Sequence, residues 1–87
     1  MPYIKLEARE RLLDLLDHYN HLPGAANAGE LNFVITVLLN KYFREHGGNY
    51  QVANDIVGAL EGAKLEFYRR TMAPYEDKKI LENGDVT

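Results

Sequence analysis

The chain has no cysteine. Neither a disulfide framework nor a thiolate metal site can hold it together, so its stability must come from packing, with association as a further available source. The same absence fits a reducing, cytoplasmic setting. An excess of basic charge is missing too: 10 lysines and arginines stand against 13 aspartates and glutamates, a formal net charge of −3. That balance argues against a domain held on nucleic acid by its overall field. Long apolar runs are absent as well. The opening Met1-Pro2-Tyr3-Ile4-Lys5-Leu6-Glu7 lacks the continuous apolar stretch of a signal peptide, and later stretches break well short of the roughly 20 residues of a membrane span. The expectation is a chain that is neither exported nor inserted into a membrane. No Gly-rich loop follows a strand pattern, no Ser-His-Asp arrangement is suggested, and no thiol nucleophile exists. There is also no internal repeat or low-complexity tract.

What is present is an ordinary globular balance, 46% hydrophobic and 26% charged, which favours folding over disorder. At 87 residues the chain falls below the usual ~100–150 residue domain size, so one domain over 1–87 is expected.

Between Glu7 and His21, Leu12, Leu15, Leu16 and Tyr19 recur at helical spacing and predict an amphipathic first helix. Pro23-Gly24 ends it. Asn27 with Glu30 three places on makes a capping-box-like start for a second helix, running from Leu31 to Phe43 and apolar around nearly its whole circumference. Such a helix is expected to be central and buried. Gly47-Gly48 stops it, and Asn49 caps a third helix to about Met72. Its predicted core face is Val52, Ile56, Ala59, Leu60, Ala63 and Phe67. Pro74 biases Ala73 away from helical conformation, so a break is expected there, then a short fourth helix from Pro74 to Glu82. Asn83-Gly84 stops that helix, and the tail to Thr87 is expected to dock.

Helix one carries an acidic stripe, Glu7, Glu10, Asp14 and Asp17, within about a quarter of the circumference at ~100° per residue. Asp14/His18 and Asp17/His21 are spaced i,i+4, a geometry a transition metal can use. A solvated helix face looks the same, and that is the reading preferred. All-helical nucleotide pyrophosphatases bind magnesium through acids on neighbouring helices, and Glu7-x-x-Glu10 resembles half of such a site. The second half is missing, because Asp55, Glu61 and Glu66 do not pair at helical spacing. No metal site, cofactor or catalytic residue is assigned.

The second helix bears a polar stripe, Asn32, Thr36 and Asn40, spaced i,i+4,i+8, which either satisfies itself, lies at a subunit seam or binds a ligand. The third helix has a second face, Tyr50, Val57, Leu65 and Tyr68, beside a smooth strip at Gly58 and Gly62 where another backbone can approach closely. Arg69, Arg70, Lys78 and Lys79 form a candidate anion patch with Tyr68 or Tyr75 for stacking, though acids interrupt it and local pairs such as Glu61/Lys64 and Glu66/Arg69 are the default reading.

Three stretches carry a family resemblance: Gly29 to Thr36, Gly58 to Arg70, and Pro74 to Ile80 with Glu82 to Val86. Together they resemble a family of small proteins of unknown function from bacteria and their phages. The likeness also takes in Met1 to Lys5, whereas helix one and the Pro23 to Ala28 loop match poorly. It implies kinship and no activity, cofactor or substrate.

The resulting expectation is an all-α fold, a three-helix arrangement with a short C-terminal fourth helix and a docked tail. As function, an interaction or accessory protein working as a homodimer through helices two and three is favoured, with an unknown protein partner. The alternatives are a metal-dependent pyrophosphatase-like hydrolase using Glu7 and Glu10, and a nucleic-acid-binding accessory protein.

Overall fold

A computed structural model describes residues 2–87. It is all-α: α1 spans Leu6–Arg11, α2 Leu13–Asn20, α3 Ala28–Glu45, α4 Tyr50–Phe67 and α5 Ala73–Asn83, with a single π-helical turn over Tyr68–Met72; no strand occurs among the described residues. The chain forms two compact units, Tyr3–Ile56 and Val57–Thr87 with Pro2.

In the first unit the amphipathic N-terminal helix is broken where a continuous one was expected. The Leu12 N–H bonds the Arg9 carbonyl at 3.0 Å, an i−3 partner that tightens the turn, and Leu12 sits at φ −97°, ψ 0°. The regular ladder resumes when the Leu16 N–H reaches the Leu12 carbonyl at 3.0 Å. A local hydrogen-bond switch of this kind costs little and leaves no mark in the apolar periodicity.

The start of α3 is the predicted capping box. Asn27 Oδ1 accepts the Glu30 N–H at 2.9 Å, and the Glu30 carboxylate accepts the Ala26 N–H at 3.0 Å. The Glu30 N–H, which the helix leaves without a partner, is thereby satisfied, and the residue before the cap is tied to the first turn by the Glu30 side chain. The far end closes at Gly47 and Gly48, both at positive φ. Asn49 then caps α4, its Oδ1 accepting the Val52 N–H at 3.0 Å.

Val52 is the only buried residue among those described. Ile35, Leu39 and Phe43 of α3 and Ala53 and Ile56 of α4 are half-buried. The expectation that α3 is central and buried is therefore corrected. No residue of α3 is buried, and its Leu31, Phe33, Val34, Val37, Leu38 and Tyr42 are between 38% and 69% exposed. A helix that is apolar all round needs neighbours on every side, and so short a chain supplies too few.

In the second unit the expected break before Pro74 is also corrected. Ala73 is helical, at φ −61°, ψ −46°, and its N–H bonds the Tyr68 carbonyl five residues back. Proline lacks an N–H, and in a regular helix its ring meets the carbonyl four residues earlier, here that of Arg70. Widening one turn to the i→i+5 pattern makes room for the ring while the helix continues. Pro74 sits in the first turn of α5, where it is tolerated.

On the third helix the predicted core face holds at Val52 and Ile56 and fails towards its C-terminal end, where Leu60 is 43% and Phe67 59% exposed. Gly84, at φ +91°, ends α5. The tail bends back alongside that helix: Asp85 and Val86 line a shallow hollow of about 310 Å³ with Glu76, Lys79 and Ile80. The Val86 side chain nevertheless lies almost wholly in solvent.

Candidate functional site

The acidic stripe of the N-terminal segment is divided between α1 and α2 by the turn at Leu12, with Glu7 and Glu10 on the first and Asp14 and Asp17 on the second. Asp17 and His21 do meet. His21 Nδ1 lies 2.8 Å from the Asp17 carbonyl oxygen and 3.8 Å from its carboxylate. Among the described residues, no three histidine, aspartate or glutamate side chains gather to hold a metal ion. Among the described residues, Glu7 and Glu10 are not joined by acids from a second helix in a group that could hold a metal ion.

The polar stripe on α3 satisfies part of itself. The Thr36 hydroxyl donates to the Asn32 carbonyl at 2.8 Å and lies 3.1 Å from Asn32 Oδ1. All three members, Asn40 included, are exposed, so water can complete what the helix does not.

Two of the four members of the candidate anion patch, Arg69 and Lys79, are held in local pairs. Arg69 Nη2 contacts the Glu66 carboxylate at 3.0 Å, and Lys79 Nζ reaches Glu82 at 3.1 Å while lying 5.5 Å from the centre of the Tyr75 ring. Lys64 pairs with Glu61 at 3.4 Å. Each exposed pair contributes little to stability, yet each offsets positive charge that a phosphate would need. Tyr68, offered as a stacking ring, is hydrogen-bonded to Glu76, which pushes its phenol above the ordinary range.

The apolar surfaces are where the structure concentrates its unusual chemistry. Tyr50, Val57 and Leu65 on α4 and Tyr68 in the π turn that follows it are all exposed, and a methyl group added at Gly58 would meet no atom within 4 Å. Gly62 is half-buried. In the first unit α2 and α3 share a notch of about 270 Å³, lined by Leu15, Leu16, Tyr19, Val34 and Leu38. The α2 members form the apolar stripe expected from the sequence. Sequence reasoning misses their partnership with Val34 and Leu38, because periodicity shows that α3 is apolar on that side and says nothing of what faces it. The i,i+4 spacing of Val34 and Leu38 is the signal that could mark them as one ridge.

The family model described as Domain of unknown function (DUF6899) matches residues 1–86. The chain belongs to this family. No curated protein and no solved structure matches it. DUF6899 membership thus covers α1 to α5 and most of the tail in one continuous match. No helix among the described residues is long and apolar enough to cross a membrane.

Proposed function

We propose that this DUF6899 protein is a small helical interaction or accessory protein that acts through its helical surface and works as a homodimer. The observation that carries the reading is α3, whose apolar residues stand exposed around most of the helix. Large apolar patches on a protein surface mark interaction sites, and a two-fold dimer covers one self-complementary patch on both chains at once. The exposed face of Tyr50, Val57 and Leu65 on α4 and Tyr68 just beyond it, with open space at Gly58, supports the same reading, either for the second copy or for a further protein partner. The continuous family match supports a single domain over 1–87. A cytoplasmic setting in bacteria or their phages rests on the absence of cysteine and on the family likeness.

Size exclusion coupled to light scattering at micromolar concentration tests the dimer. A mass twice the 9.9 kDa of one chain is expected, and a mass of one chain would overturn the proposal. Gly58→Leu or Gly62→Leu is expected to weaken association if backbones approach there, whereas Glu10→Ala is expected to have no effect.

A further inference from the structure

Hollows of different make-up indent the surface. The one of about 310 Å³ beside α5 is bordered by the tail and by Lys79, which is already paired with Glu82. The hollow at Asp14 and Asp17 is built from α2 alone. The notch between α2 and α3 differs from both, because two helices build it and all five of its side chains are large and apolar.

We infer that this notch is the centre of the homodimer seat, and that its occupant is the same α2–α3 face of a second copy. The inference rests on the homodimer reading above and adds to it the helix that completes the seat, α2, together with the residues at its middle. Area decides between a seat and incidental exposure. Leu15, Leu16, Tyr19, Val34 and Leu38 are 38% to 58% exposed, and Leu31, seven residues before Leu38 and so on the same side of α3, is 50% exposed. Large apolar side chains present on the order of 200 Å² each when free, so the six leave about 600 Å² open. A stable interface of standard size covers about 800 Å² on each partner, and Tyr42, four residues beyond Leu38 and 44% exposed, extends the patch towards that figure. A self-complementary patch needs no second kind of surface, because each copy supplies both the notch and the ridge beside it. The concave middle built by two helices gives that ridge a pocket to fill, as the central anchors of protein interfaces do.

The absence of cysteine makes the test direct, since one introduced thiol reports one position. Full-length Leu38→Cys, in the seat, and Val57→Cys, on the α4 face, are each oxidised at micromolar concentration and run on a non-reducing gel beside the mass measurement of the unmodified chain. A two-fold axis through the seat is expected to convert most of Leu38→Cys to a covalent dimer. Leu16→Glu, checked by circular dichroism for unchanged helicity, is expected to weaken association about tenfold or more. A dimeric mass without a Leu38→Cys crosslink, or a Leu16→Glu protein that is folded and still fully dimeric, overturns the seat and leaves the homodimer standing. A one-chain mass with no crosslink overturns both.

Discussion

The Tyr68 hydroxyl donates to the Glu76 carboxylate, tying the first residue of the π turn to the first turn of α5. Eight residues of regular helix rise about 12 Å, so two long side chains must lean towards each other over the turn that admits Pro74. The hydrogen bond and the nearby negative charge hold the phenol above its ordinary value near 10. The folded state therefore binds this proton more tightly than the unfolded chain. Its stabilising contribution is complete below the unfolded value of about 10 and is lost as pH rises through the raised folded value. In Glu76→Gln the Tyr68 phenol is expected to titrate at a lower pH than in the unmodified protein, which NMR of the ring carbons can follow. A Tyr68 midpoint that does not move in that variant would count against the link.

Asn27→Ala removes the acceptor for the Glu30 N–H and is expected to cost about 1 kcal/mol. In a domain of this size such a loss lowers the melting midpoint by roughly 4–8 °C. Asn27→Ser should recover most of it, since a hydroxyl caps as well. Equal melting of the alanine and serine variants would show that the cap contributes nothing.

Two glycines should respond to alanine in opposite directions. Gly48 is at φ +61°, and a methyl group there would lie 3.3 Å from a Phe43 ring carbon. Gly48→Ala is therefore expected to destabilise by about 1–2 kcal/mol. Gly58 lies within α4 with open space around it, so Gly58→Ala is expected to stabilise a lone chain by about 0.5–1 kcal/mol. Chemical denaturation over a range of protein concentrations separates the cases. A Gly58→Ala cost that grows with concentration would place this strip at the contact between copies.

Pro74→Ala restores a backbone N–H that can reach the Arg70 carbonyl. The π turn is then expected to close to regular α-helix, with a stability gain of up to ~3 kcal/mol. An amide at residue 74 that is protected from hydrogen exchange, together with loss of the raised Tyr68 titration, would show the closure. An unprotected amide would mean that the wide turn is held by something other than proline.

Much of this architecture is legible from the chain. The Asn27–Glu30 box, the Gly47–Gly48 stop and the Asn49 cap are local hydrogen-bonding or dihedral requirements, satisfied within a few residues of the residue that signals them. The Leu15, Leu16 and Tyr19 stripe is legible for the same reason, since 3.6-residue periodicity is a property of one helix. The turn at Leu12 is not, because switching one N–H from an i−4 to an i−3 carbonyl leaves the side-chain pattern intact. Pro74 signals a strain on the backbone, and that strain is real, but it does not stop the helix, since a ring that cannot fit a regular turn can fit a wider one.

By itself, then, the sequence determined that the chain is helical, where most helices begin and end, and that α3 carries apolar side chains around nearly its whole surface, because propensity, capping and periodicity act over one or two turns. Only the tertiary structure decided that those side chains stay exposed, that Leu15, Leu16 and Tyr19 line one notch with Val34 and Leu38, and that the acids of α1 and α2 bring no third ligand to a common point. Burial and convergence depend on which distant segments come together, and side-chain spacing along one helix carries no information about what lies opposite it.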